Sequence, residues 1–191
     1  LLPRLAEPHA HLDKAFTWSK APNLQGTYGG ALVANLRELQ SRTVIGVRQR
    51  AERSLKLALK YGLRAIRSHI DSLGPGSDSS WEALLDLQHQ WQAWMELQWV
   101  ALVPIEHWST REGDQLAGRV AEVGGLLGGV LVPPFDGSKS RDSLRQMLRL
   151  ADRLGCGIDI HIDESQSHPA AGLKQLLQVL DRMTITVPIT C

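Results

Sequence analysis

The stretch VIGVRQRAERSLKLALKYGLRAIRSHI, residues 44–70, decides the fold because it joins a helical pattern to a strand pattern. Its apolar residues first recur at the spacing of one helix face, at Val47, Ala51, Leu55, Ala58 and Leu59. Gly62 then provides a helix end, and residues 63–70 have the composition of a strand. A helix that leads directly into a strand is the repeating unit of a parallel sheet.

The same alternation extends along the rest of the chain. Helical patterns cover residues 44–61, 79–97, 115–123, 143–154 and 170–180. Strand patterns cover residues 2–9, 63–70, 99–104 and 129–133, a run that ends near His161, and residues 183–190. Residues 15–42 form the one long irregular insertion. We therefore predict an α/β fold, a partial (β/α)8 TIM barrel with about six of the eight strands in this chain.

The composition is that of one soluble domain with a hydrophobic core, with 191 residues of which 43% are hydrophobic and 21% charged. The formal net charge is +1, and 21 basic and 20 acidic residues are interspersed, so we expect no nucleic-acid partner and no membrane anchor. No run approaches the roughly 20 apolar residues of a membrane helix. The two cysteines, Cys156 and Cys191, are too few for a disulfide framework, which favours a cytoplasmic location.

Two histidines follow the first strand pattern, in the run Glu7-Pro8-His9-Ala10-His11-Leu12-Asp13-Lys14. Because side chains alternate along a strand, His9 and His11 are predicted to point the same way and to bind one metal ion. A pair of this kind is common by chance. Two polar residues that close a strand are therefore the competing interpretation.

A second cluster lies far downstream, in Cys156-Gly157-Ile158-Asp159-Ile160-His161-Ile162-Asp163-Glu164-Ser165. A strand-like run again ends in an imidazole and carboxylates. Neutral imidazole is a good ligand for zinc or ferrous iron, and a carboxylate nearby can carry protons to and from activated water. We expect His161 to bind the metal and Glu164 to transfer the proton.

Together with Arg67-Ser68-His69-Ile70-Asp71, these two runs resemble the cytosine deaminase branch of the amidohydrolase superfamily in order and spacing, along nearly the whole chain. The resemblance implies one divalent metal ion, Zn or Fe, bound by His9, His11 and His161. It implies that Glu164 handles protons while water attacks a ring carbon that bears an amine. The expected reaction is hydrolysis of a carbon–nitrogen bond with release of ammonia or an amine.

The family's pattern also includes a histidine from the sixth barrel strand and an aspartate from the eighth, and neither is in this sequence. We therefore expect residues 1–191 to be an incomplete metal-dependent TIM-barrel domain that lacks the last strands and the N-terminal flanking strands. The chain's start without methionine agrees with that expectation. A noncatalytic barrel fragment that needs a partner segment is the alternative.

The number of metal ions depends on the end of the fourth strand. Two-metal members of the superfamily carry a bridging lysine or glutamate there, whereas this chain has Val132-Pro133-Pro134-Phe135. The resemblance therefore implies a single ion.

Other residues are expected near the substrate. His69 and Asp71 share one strand face, where they either contribute to the site around the metal ligands or form a hydrogen bond that steadies the neighbouring loops. Phe16 and Trp18 follow the histidine pair in a loop that is expected to line the pocket.

The substrate is expected to be a pyrimidine- or triazine-like heterocycle rather than cytosine itself. Pro104 stands where cytosine deaminases place a glutamine, and Glu106 is the nearest replacement, with a different hydrogen-bonding pattern.

We also expect the protein to form a homo-oligomer. Trp81, Trp91, Trp94 and Trp99 are assigned to core packing.

Overall fold

The computed structural model describes residues 3–133, 137–164 and 167–191. The chain divides into two compact units, residues 1–98 and residues 99–191. Pro134 and Phe135, on which the single-metal expectation partly depends, lie outside the described residues.

Strands and helices alternate through the described part of the chain. The strands are β1 (Leu5–Ala10), β2 (Leu63–Asp71), β3 (Glu96–Pro104), β4 (Leu126–Leu131), β5 (Ile158–Ile162) and β6 (Ile189–Thr190). The helices are α1 (Tyr28–Leu39), α2 (Val44–Lys60), α3 (Ser77–Trp91), α4 (Arg111–Glu122), α5 (Ser138–Leu154) and α6 (Ala171–Leu180). Two short 3₁₀ segments lie at Leu12–Lys14 and Ile105–Ser109.

The strands are parallel, and their order follows the chain from β1 to β6. β1 pairs with β2 in the first unit. In the second unit β3 pairs with β4, β4 with β5, and β5 with β6. These features confirm the predicted α/β fold and the partial (β/α)8 barrel.

The core of the first unit forms where the sequence pattern predicts it. Thr43 accepts a hydrogen bond from the Gly46 amide at 3.2 Å, which begins α2. Val47, Ala51 and Leu55 are fully buried along one face of that helix. Burial of apolar area along this face, at about 25 cal/mol per Å², fixes which way α2 faces.

The core of the second unit includes two indoles and the apolar face of α5. Trp99 and Trp108 are buried, and the Trp108 indole donates to the Gly128 carbonyl at 2.9 Å. Leu144 and Met147 of α5 are fully buried in the same unit. The C-cap residue of α5 is Gly155, whose backbone is in the left-handed region with φ 68°. Glycine adopts this conformation readily because it has no Cβ.

The prediction of an irregular insertion over residues 15–42 was wrong, because this segment contains α1. Thr27 caps the helix by accepting from the Gly30 amide at 3.0 Å. Tyr28, Leu32 and Leu36 lie on its exposed side, whereas Glu38 is buried. Tyr28, Leu32 and Leu36 recur every four residues, which is the spacing of one helix face, so the sequence contained a helical signal that was overlooked.

Smaller differences concern the ends of elements and the tryptophans. The helix predicted to run to residue 97 ends at Trp91. The predicted strand at 183–190 is only two residues long in the structure. Trp94 is 63% exposed, so its assignment to the core was wrong, whereas Trp99 is buried as predicted. Among the described residues, none of the helices is both long enough and apolar enough to cross a membrane.

Candidate metal centre and proton-handling residues

Three histidines of the first unit come together at the carboxyl ends of β1 and β2. His9 lies on β1, His11 directly follows that strand, and His69 lies on β2. His9 is exposed, whereas His69 is fully buried. In parallel barrels the carboxyl ends of the strands are where reactive groups gather.

The three imidazole rings are close enough to share one ion. The ring centroids of His9 and His69 are stacked 4.2 Å apart, and that of His11 lies 5.2 Å from His9 and 5.4 Å from His69. Their candidate ligand nitrogens lie within 4.8 Å of one another. A set of imidazole nitrogens at this separation has the chemistry that zinc and iron favour.

Backbone irregularity and one buried hydrogen bond bring the rings together. The pairing of β1 with β2 shifts register between Glu7 and Ala10, so the strand does not alternate regularly at His9. Such irregularities turn side chains away from their regular direction. Beyond the strand, the Leu12 amide donates to the Ser68 hydroxyl at 2.9 Å, a buried bond that holds the segment carrying His11 against β2.

Asp71, at the end of β2, accepts hydrogen bonds from a lysine, an amide and a guanidinium. Lys14 donates at 2.6 Å, Asn35 at 3.0 Å and Arg42 at 3.3 Å. Burial acts to raise the pKa of Asp71, but the charge of Lys14 and these hydrogen bonds outweigh it and lower the pKa below its ordinary value. Asp71 therefore joins the histidine-bearing segment, α1 and β2.

A buried ion cluster continues from Asp71 into the helices. Arg42 donates to Asp13 at 2.9 Å and to Glu38 at 2.7 Å, and Arg50 contacts Glu38 at 2.8 Å. Asp13 is completely buried, and burial raises its pKa although Arg42 and Lys14 act in the opposite direction. These ion pairs hold α1 and α2 against the residues that follow β1.

In the second unit, His161 lies on β5, one residue before the strand ends. Asp163 follows with a left-handed backbone, φ 58°, and its two carboxylate oxygens accept from the amides of Gly172 at 2.7 Å and Leu173 at 3.0 Å. Glu164 comes next and is exposed. The predicted ligand and the predicted proton carrier are thus three residues apart at one strand end.

The remaining candidates occupy loops. Phe16 is exposed with φ 58°, and the Arg53 guanidinium lies 4.2 Å from its ring centroid. Trp18 is 61% exposed. Glu106 is half-buried in the 3₁₀ segment that follows β3. Contact between these three side chains and a substrate stays a prediction.

Asn35, Glu38 and Arg42 were not predicted from the sequence to be near the site. Asn35 and Glu38 are three residues apart on α1, and Arg42 lies four residues after Glu38, just beyond the end of the helix; this spacing is a signal that could have identified them. The signal was overlooked because the segment was assigned no helix. His69 was placed near the site, but its stacking on His9 depends on strand pairing, which sequence spacing does not give.

No protein-family model matches the chain. A curated pterin deaminase from Rhizobium rhizogenes (strain K84 / ATCC BAA-868) is 33% identical over 192 residues, which is 98% of this chain and 43% of that protein. The solved 5-methylcytosine deaminase from Klebsiella pneumoniae liganded with phosphonocytosine has a TM-score of 0.80 and 29% identity, covering 93% of this chain and 44% of the other. The chain therefore spans less than half the length of these relatives.

A third comparison supports the fold alone. N-isopropylammelide isopropylaminohydrolase from Burkholderia multivorans ATCC 17616 has a TM-score of 0.69 and 24% identity, covering 95% of this chain and 46% of the other. All these observations indicate one class of fold, a partial parallel barrel with imidazole side chains clustered at the ends of its strands. The similarity to the pterin deaminase and to the 5-methylcytosine deaminase supports a relationship with the cytosine deaminase-like members of the amidohydrolase superfamily.

Proposed function

We propose that the protein carrying this chain is a metal-dependent hydrolase that removes an amine from a nitrogen heterocycle. The observation that carries the proposal is the cluster of His9, His11 and His69, with ring centroids 4.2–5.4 Å apart, at the ends of β1 and β2. The names of the relatives, a pterin deaminase and a 5-methylcytosine deaminase, support the reaction class.

We propose that His9, His11 and His161 bind one divalent ion, Zn or Fe. His69, which is buried and stacked on His9, holds that ring in place. The donor set fits such an ion because neutral imidazole suits both metals. When bound, the ion would lower the pKa of a coordinated water to about 7.

The carboxylate of Glu164 accepts the proton that the attacking water releases. The protonated carboxyl group formed in this way then returns the same proton to the ring or to the departing amine, so that ammonia or an alkylamine leaves in neutral form and Glu164 is again a carboxylate. Glu164 is exposed in this chain, which gives its carboxylate access to a bound substrate. Proton transfer of this kind contributes about 10²–10⁴-fold to the rate.

The substrate is proposed to be a pyrimidine- or triazine-like ring with an exocyclic amine. Glu106 lies two residues after Pro104, the position of the family's glutamine, and its carboxylate favours a ring edge that donates hydrogen bonds. Phe16 and Trp18 supply exposed aromatic surface in the segment after the histidine pair. Pterin and 5-methylcytosine are the first compounds to assay.

The domain organisation, location and assembly are also proposals. We propose that residues 1–191 are part of one barrel domain in a cytoplasmic homo-oligomer whose partner is a small heterocycle. The small number of cysteines supports the cytoplasmic location, and the net charge of +1 supports a small-molecule partner rather than a nucleic acid. Light scattering of the full-length protein measures its assembly.

Metal content and ammonia release test the proposal in the full-length protein. We expect His161→Ala to lower bound zinc or iron and Glu164→Gln to retain the metal while losing at least about 10²-fold in kcat. The exposed His89, on α3, provides a matched control, and His89→Ala is expected to keep both metal and activity. Full metal content in His161→Ala would refute its assignment as a ligand.

A further inference from the structure

The backbone turns sharply between the predicted metal ligand and the predicted proton carrier. β5 ends at Ile162, and Asp163 has φ 58°, in the left-handed region. Among the described residues other than glycine, only Phe16, Asp163 and Ala170 have a positive φ. Aspartate tolerates this conformation better than most residues when its side chain finds local partners, and the surrounding structure must then hold it in place.

The start of α6 holds the Asp163 side chain. Its Oδ1 accepts from the Gly172 amide at 2.7 Å, and its Oδ2 accepts from the Leu173 amide at 3.0 Å. Ala170, which precedes α6, has no side-chain cap of its own. The carboxylate therefore satisfies two free amides of the first turn, where negative charge is favourable.

We propose that Asp163 is a positioning residue that directs Glu164 by anchoring the end of β5 to α6. The inference rests on the proposed proton transfer by Glu164. With both carboxylate oxygens of Asp163 held and its φ in the left-handed region, Glu164 leaves the strand along one defined path. Proton transfer requires a donor–acceptor distance of about 2.6–3.2 Å, and a displacement of 1 Å costs up to about 10²-fold in rate.

Two substitutions separate the backbone conformation from the anchoring bonds. Asp163→Gly permits the left-handed backbone but removes both bonds, whereas Asp163→Asn keeps one acceptor oxygen and tolerates that backbone. In the full-length protein we expect kcat to fall about 10- to 100-fold in Asp163→Gly and by a smaller factor in Asp163→Asn. We expect KM to change less than about 2-fold and metal content to stay the same, because His161 precedes the turn.

An aspartate elsewhere in the same unit provides a matched control. Asp152 Oδ1 accepts from the amide and the hydroxyl of Thr186, both at 2.8 Å, before β6. Asp152→Ala removes two hydrogen bonds, as Asp163→Gly does, and we expect it to lower the melting temperature while kcat stays unchanged. A loss of kcat in Asp152→Ala equal to that in Asp163→Gly would mean that stability alone explains the effect, and would overturn the proposal.

A double variant identifies the route through which Asp163 acts. If Asp163 works through Glu164, adding Asp163→Gly to Glu164→Gln lowers kcat no further, whereas independent effects multiply. Multiplied losses, or an unchanged kcat in both Asp163 variants beside an inactive Glu164→Gln, overturn the positioning role and leave the proposed function intact. Full activity in Glu164→Gln instead overturns the proposed proton transfer, and the positioning role with it. Where the glycine variant does not fold, Asp163→Asn gives the same comparison.

Discussion

The Arg42 guanidinium contacts three carboxylates from inside the first unit. It lies 2.9 Å from Asp13, 2.7 Å from Glu38 and 3.3 Å from Asp71, and its side chain is fully buried. Taking charges out of water is costly, so each of these carboxylates depends on the positive charge beside it. Arg42 thus keeps the segment after β1 and the end of β2 in one arrangement.

Replacing Arg42 by Met is expected to lower the free energy of unfolding by about 3–5 kcal/mol, because Asp13 remains fully buried without that charge, whereas Glu38 keeps its contact with Arg50. Denaturation with urea measures the change. Arg48→Met is the matched control, since the Arg48–Asp86 pair is 43% exposed on both sides, and a loss below about 1 kcal/mol is expected. Equal losses of unfolding free energy in the two variants would show that the burial of Arg42 does not make its ion pairs more important for stability than an exposed pair.

At the scale of elements, β4 approaches β3 so closely that a side chain has no room. A Cβ added at Gly128 would lie 2.6 Å from Val100 Cγ1 and 2.7 Å from the Ala101 carbonyl oxygen. The Trp108 indole also donates to the Gly128 carbonyl, so the strand cannot move away without losing that bond. The glycine is therefore a packing requirement of the second unit.

Gly128→Ala is expected to destabilise the protein by about 1–3 kcal/mol through overpacking. The matched control is Gly118→Ala in α4, where nothing lies within 4 Å of the added Cβ, and a gain of about 0.5–1 kcal/mol is expected from helix propensity. Thermal unfolding of both variants measures the difference. A neutral Gly128→Ala would mean that the two strands can separate slightly at no cost.

The sequence predicts some helices and strands more accurately than others. The accuracy is highest where the apolar residues of an element face the core. α2 was predicted almost to the residue because Val47, Ala51 and Leu55 point into the core. α1 has the same spacing at Tyr28, Leu32 and Leu36 but was missed; these side chains are exposed, and the buried side of the helix carries Glu38. β6 was predicted too long because a β-branched run need not find a partner strand along its whole length.

The candidate site shows the same division between local and long-range information. The proximity of His9 and His11 follows from the sequence, because only Ala10 separates them along the chain. The stacking of His9 on His69 requires the pairing of β1 with β2, and the ion cluster requires Arg42 to reach Asp13 across 29 residues. The spacing of residues along the sequence does not show either the ring stacking or the ion pair.

For the whole molecule, the proposed ion links ligands that are far apart in the sequence. A ligand that binds only the folded state stabilises it by mass action, by about 2.7 kcal/mol when free metal is 100 times the dissociation constant. Because His9 and His161 are far apart in the chain, the unfolded state lacks a preformed site. Metal binding and folding are therefore expected to be coupled.

Removing metal from the full-length protein with a chelator is expected to lower its melting temperature by several degrees, since about 1 kcal/mol corresponds to 2–4 °C in a domain of this size. Differential scanning calorimetry with and without added zinc measures the shift. His11→Ala removes one proposed ligand and is expected to abolish the zinc-dependent part, whereas the exposed control His89→Ala keeps it. A zinc-dependent shift of equal size in His11→Ala would place the ion elsewhere, because a site that has lost an imidazole cannot bind it with the same free energy.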